Sequence, residues 1–208
     1  MARLVAKKLG FDLVDTGAMY RSVTLLAVEA GVPLEDEWSL GALAAEVKDL
    51  FHAEAGEGPT RFFLGDREVT EDIRGAEVGD SVSPVSKLSL VRREMVELQR
   101  SCSRGRGVVV EGRDIGTVVF PDAALKVFLD AEADERKRRR LLEHEEKGMS
   151  ADARAVSDEI DKRDRIDSSR ENSPLRRPED ALYIDTTGLA AEQVAKMILQ
   201  RWQRRGQT

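Results

Sequence analysis

Four short apolar runs constrain this chain more than any other feature: residues 11–15, 108–111, 125–129 and 182–185 each read as a strand that hands over to a polar stretch. Val108-Val109-Val110, closed by Glu111-Gly112, is β-branched throughout. Such a run suits a strand covered on both faces, as parallel strands are. Between and around the runs the apolar spacing turns helical, predicting helices over 2–9, 18–30, 37–50, 75–81, 88–103, 133–146, 150–165 and 190–205. Gly10 is placed to end the first helix and Thr16 to cap the second. Strands alternating with helices need crossover connections, which puts the chain in the α/β class with a mostly parallel sheet. One stretch breaks the alternation. Turn-forming residues 56–59, then 60–64 and 68–70 around Asp66, predict an antiparallel hairpin, so this region reads as an insertion.

Length and charge narrow the function. The 208 residues suit one moderately large domain, or one domain with an insertion. A net charge of −6 argues against a general nucleic-acid binder. Arginines nevertheless gather at 136–140 and 163–177, and local basic patches in an acidic protein suit a small anionic ligand. No apolar run is long enough for a transmembrane helix, and the first residues have no signal-peptide core, so a cytoplasmic protein without a membrane partner is expected. The single Cys102 excludes an intramolecular disulfide and reads as a half-buried small hydrophobe. His52 and His144 stand outside every motif and read as surface residues. With no histidine or cysteine cluster, no metal ligand is assigned.

In open α/β sheets, ligands bind beyond the carboxyl ends of the strands. There the chain carries Asp15-Thr16-Gly17-Ala18-Met19-Tyr20-Arg21, then Glu111-Gly112-Arg113-Asp114-Ile115-Gly116-Thr117, then Asp130-Ala131 leading into the arginine-rich helix. Taken singly, each Arg–Asp pair reads as a structural salt bridge, residues 136–140 as a solvated helix face, and residues 163–170 as an intrahelical ion-pair ladder. In combination, and with Arg163-Asp164-Arg165-Ile166-Asp167-Ser168-Ser169-Arg170 and Asp185-Thr186-Thr187-Gly188, the motifs resemble those of bacterial cytidylate kinases in order and spacing. The resemblance spans essentially the whole chain.

That resemblance implies a P-loop nucleoside monophosphate kinase-like fold, a parallel sheet with flanking helices. The kinase core would take residues 1–36 and 86–208, with a lid near 132–150 and a small α+β nucleotide-binding insertion at 37–85. The implied activity moves a phosphate from ATP, with Mg²⁺, to CMP or dCMP, in a monomer. Carried over residue by residue, Ser83, Arg92 and Asp114 match the positions that read the base, and Arg163 and Asp167 those that hold the sugar hydroxyls. Thr16, Arg21, Arg113 and Arg170 match the surroundings of the acceptor phosphate, with threonine at 16 where serine is the commoner residue. Arg139 and Arg140 match lid arginines that close over the donor phosphates. Asp130 reads as structural.

The family's phosphate-binding loop, G-x-x-x-x-G-K-[ST], occurs nowhere in the 208 residues. In the family it directly precedes the helix matched here by residues 2–6. The expectation is therefore a chain without its central first strand, begun at an artificial start such as a valine codon, with little or no turnover as written. A non-catalytic CMP-binding pseudokinase is the alternative. A kinase for another small acceptor would leave Arg113 and Asp114, with Arg163, Asp167 and Arg170, unexplained.

Overall fold

The computed structural model describes residues 1–56, 58–146 and 175–205, together with 154, 156–158, 160, 162, 165, 166 and 173. The chain divides into two compact units, one of residues 10–112 and one of residues 1–9 with 113–208.

The unit of residues 10–112 begins with strand β1 (Asp12–Asp15) and helix α2 (Thr16–Glu29); helix α1 (Ala2–Leu9) lies in the other unit. Helix α3 (Glu37–Leu50), strands β2 (Phe51–Glu54), β3 (Arg61–Leu64) and β4 (Arg67–Glu68), helices α4 (Ala76–Ser86) and α5 (Ser89–Ser101), and strand β5 (Val108–Glu111) follow. β1 and β5 pair in parallel with Val14 opposite Val110 and Asp15 opposite Glu111. Gly107 fixes the entry to that pair: its amide oxygen accepts from Asp12 N at 3.0 Å, and a Cβ there would meet the Phe11 ring at 2.5 Å. The hairpin forms as antiparallel β3–β4 and gains a third strand, β2, paired Phe51 to Leu64. The sequence reading missed β2 because Phe51-His52-Ala53-Glu54 follows α3 with no glycine or proline between them.

Helix α4 also runs past the predicted 75–81, carrying Pro84 near its end. Proline lacks the amide that would donate to the Asp80 carbonyl, and the helix ends two residues later at Ser86. Asp15, and not Thr16, caps α2: its Oδ1 accepts from Ala18 N at 3.0 Å. The core lies around α2, where Met19, Val23 and Ala27 meet Leu40, Val47, Val85, Val91 and Met95, all but fully buried. Phe62, Leu64, Val69 and Ile73 extend it under the hairpin. Each such side chain contributes roughly 1.5–3 kcal/mol on burial.

In the second unit, strands β6 (Val127–Asp130) and β7 (Leu182–Asp185) pair in parallel, with Phe128 opposite Tyr183. Helix α6 (Ala133–Glu146) follows β6, and α7 (Ala191–Arg205) follows β7 and packs on α1. The buried apolar set here is smaller among the described residues: Ala2, Val5 and Ala6 of α1, Ile184 of β7, and Val194, Ala195 and Ile198 of α7, with Val119 and Ala181. The expected helix over 150–165 falls mostly outside the described residues; those described within it, Val156 among them, are helical. The mixed α/β class with parallel strands is observed. The parallel strands form two separate two-stranded pairs among the described residues, where one sheet was expected. No described helix is long and apolar enough to cross a membrane.

Candidate active site

Within residues 10–112 the carboxyl ends of β1 and β5 carry the first group of expected residues. Thr16 is buried, and its hydroxyl donates to the Glu111 carbonyl at 2.7 Å, tying the start of α2 to the end of β5. One turn on, Arg21 Nη2 lies 3.6 Å from Asp15 Oδ2, and both side chains are about a fifth exposed. Thr16 and Arg21 thus share the first turns of α2 with the Asp15 carboxylate between them.

Ser83 and Arg92, the two residues of this unit expected to read the base, sit on helices that neighbour α2. Ser83 on α4 and Arg92 on α5 are both buried. Arg92 Nη1 donates to the Ser86 carbonyl at 3.4 Å, and the Ser86 hydroxyl donates to the Ser83 carbonyl at 3.1 Å. The Arg92 guanidinium lies 5.9 Å from the centre of the Tyr20 ring, a cation–π distance. Tyr20 stands beside Arg21 in sequence, so α2 carries Arg21 and also the ring against which Arg92 of α5 lies. Asp15 and Tyr20 were quoted in the motif without a role. The signal for Asp15 was its place three residues before Ala18 at a helix start, where Asp is a preferred cap.

In the second unit, Arg113 is exposed and Asp114 is buried. Asp114 opens a wide turn, Ile115–Val119, that closes on its carbonyl: Val118 N donates to the Asp114 carbonyl at 2.9 Å, and the Thr117 hydroxyl donates to the same oxygen at 3.2 Å. Gly116 lets this turn lie flat on its support, since a Cβ there would meet Pro178 Cγ at 3.1 Å and Lys126 Cδ at 3.2 Å. Lys126 is in turn held by Asp180 at 2.8 Å, which keeps the Asp180 carboxyl below the usual carboxylate range. Asp114 therefore rests on a braced turn.

Arg139 takes an unexpected set of partners. Its Nε donates to Glu135 at 2.8 Å, Nη1 to the Thr186 hydroxyl at 3.0 Å, and Nη2 to the Thr186 carbonyl at 2.5 Å. The Thr186 hydroxyl and amide both donate to the Asp130 carbonyl at 2.8 Å. Arg139 thereby fastens α6 to the segment that follows β7. Arg140 Nη1 donates to Glu143, one turn away, at 3.0 Å. Arg138 and Arg139 beside Glu135 hold its carboxyl down to about 2. Asp130 accepts from the Tyr183 hydroxyl at 3.1 Å, which raises the Tyr183 phenol. Arg163, Asp167 and Arg170 lie outside the described residues, as does the side chain of His144; His52 is exposed.

A family model described as cytidylate kinase matches residues 1–204. A cytidylate kinase of Pelotomaculum thermopropionicum is 47% identical over 201 residues, 97% of this chain and 88% of that protein. Cytidylate kinases of Streptococcus suis and Bacillus licheniformis are 43% and 44% identical, the matches covering 97% and 96% of this chain and 89% and 88% of the relatives.

Proposed function

Because the chain belongs to the cytidylate kinase family, its reaction is phosphoryl transfer from ATP to CMP or dCMP, and we propose that Ser83, Arg92 and Asp114 read the cytosine. Cytosine donates from N4 and accepts at N3 and O2. A carboxylate takes the N4 hydrogens while a guanidinium serves the acceptors. Uracil presents an acceptor where cytosine presents N4, so Asp114 rejects it. Thr16, Arg21, Arg113 and Arg170 grip the acceptor phosphate, and Arg163 and Asp167 hold the sugar hydroxyls. The fold proposed is that of a nucleoside monophosphate kinase, with core segments 1–36 and 86–208, an insertion at 37–85 and a lid near 132–150, acting as a monomer.

The observation that carries this reading is that α2 carries Thr16 and Arg21 while Arg92 of the neighbouring α5 lies over its Tyr20. Arg21 and Thr16 at the start of α2, and Arg92 against Tyr20, stand within residues 10–112 as one braced arrangement. A base reader and a phosphate holder set in advance on neighbouring helices of one packed unit fit a nucleoside monophosphate, whose two ends must be gripped together.

Transfer of a phosphoryl group asks the protein for positioning and charge neutralisation more than for covalent chemistry. Arg113 and Arg170 orient the acceptor phosphate toward the donor. Arg140, whose Glu143 pairing is exposed and weak, turns to the donor phosphates at small cost. Arg139 joins it on leaving Thr186. Mg²⁺ supplies Lewis-acid neutralisation of the donor phosphates. Among the described residues no three His, Cys, Asp or Glu converge on one point. An ion carried chiefly by nucleotide phosphates and water fits that donor set, and no residue is assigned to it. The test is ATP-dependent phosphorylation of CMP, dCMP, UMP and AMP side by side. CMP and dCMP should react well above the other two; equal rates on all four contradict the base assignment.

A further inference from the structure

We infer that Asp15 is a positioning residue for the acceptor phosphate, acting through Arg21, and that Gly17 is a glycine so that this pair can form. The inference rests on the reading of Arg21 as a phosphate contact.

The two Asp15 oxygens divide their work. Oδ1 accepts from Ala18 N at 3.0 Å and caps α2, which fixes the carboxylate relative to the helix. Oδ2 faces the Arg21 guanidinium at 3.6 Å, beyond an ordinary hydrogen bond but close enough to steer a cation. Arginine has a long side chain with many rotamers, and holding it in advance saves the ordering cost that a phosphate would otherwise meet on binding. A carboxylate fixed by a helix cap is a suitable anchor for that purpose, because its own rotamer is already set.

Gly17 lies over the pair. A Cβ at this position would stand 3.1 Å from Asp15 Oδ1, 3.3 Å from Arg21 Nη1 and 3.4 Å from Arg21 Nη2. Glycine is a poor helix residue, and Gly17 lies inside the first turn of a fourteen-residue helix with no backbone need for it. The side-chain surroundings supply the reason: alanine would push the carboxylate or the guanidinium by a few tenths of an ångström. Local helix preference and the geometry of the pair therefore pull in opposite directions at Gly17, and the chain follows the pair.

Calorimetric titration of the full chain with CMP and with cytidine, which lacks the phosphate, tests this. Asp15→Asn keeps an oxygen for the cap, since Asn caps as well as Asp, but removes the charge facing Arg21. It should weaken CMP binding about tenfold and leave cytidine unchanged. Gly17→Ala should weaken CMP alone by a smaller factor, while melting no lower than the parent chain. Equal losses for CMP and cytidine would overturn the inference, because they mark a fold effect. So would unchanged or tighter CMP binding in Asp15→Asn, which would mean that the carboxylate repels the phosphate more than it steers Arg21. If the parent chain itself bound CMP no better than cytidine, the phosphate role of Arg21 would fall first, and the inference with it.

Discussion

The two units of this chain hold their charged residues by different means. In residues 10–112 the expected ligand groups Thr16, Ser83 and Arg92 are buried against a continuous apolar core. In the other unit Asp114 is buried on its braced turn, but Arg113 is exposed, and Arg139 and Arg140 ride on a helix whose charges are paired along its own surface. Packing fixes the first set, and hydrogen bonds and ion pairs fix the second. On the proposed assignment the acceptor side is built in advance, whereas Arg139 and Arg140 keep polar partners that a polyanion can displace. That division suits an enzyme that selects one base closely and must release its phosphate donor at every turnover.

The largest effects should separate the two cores. Met95, fully buried in α5, should cost about 2–5 kcal/mol on replacement by alanine. Ile198, 7% exposed in α7, should fall near the low end, at about 2 kcal/mol. Urea unfolding of Met95→Ala and Ile198→Ala measures both, and a larger loss at Ile198 would break the comparison.

A smaller effect comes from Glu94, a buried acidic side chain on α5 beside α3. Lys48 bonds both Glu94 and Glu97, and Arg93 also reaches Glu94. Lys48 holds the Glu94 carboxyl below its usual range, and Glu94 raises the Lys48 ammonium in return. A carboxylate lowered on folding adds stability that is present above its unfolded value, about 4.3, and is lost as pH falls through the folded one. Melting temperatures followed from pH 7 downward should hold to about pH 4 and then fall. Lys48→Met should lower the plateau and flatten that acid limb; an unchanged limb would assign the acid loss elsewhere.

The smallest effect belongs to the charged helix. Arg140→Ala removes the pair with Glu143 along α6, a contribution of about 0.3–0.5 kcal/mol for an i,i+3 pair, so the stability loss should stay well below that of a core substitution. Thermal unfolding checks this, and a loss comparable to Met95→Ala would show that α6 is held by more than its surface charges.

What the sequence disclosed follows the same division. Val108-Val109-Val110 announced a strand because β-branched residues favour a pleated backbone, but the three valines are half-buried where a strand covered on both faces was expected. The α/β class and the places of the motifs at strand ends followed from it. Three features stayed hidden. β2 has a sequence that continues α3 without a break and becomes a strand only by pairing with β3. The cap of α2 falls on Asp15 because Thr16 spends its hydroxyl on the distant Glu111 carbonyl. Arg139 reads from its helix alone as part of a solvated face, yet its partner Thr186 lies 47 residues away, where no local pattern points to it. Local chemistry was legible, and long-range hydrogen bonds were not.

Selection of the base decides whether this account stands. The direct measurement is the ratio of CMP to UMP phosphorylation efficiency in the parent protein and in Asp114→Asn. An asparagine can donate to the uracil oxygen that the carboxylate repels, so the ratio should fall about tenfold or more. A ratio that does not change would contradict the assignment of Asp114 to the cytosine edge.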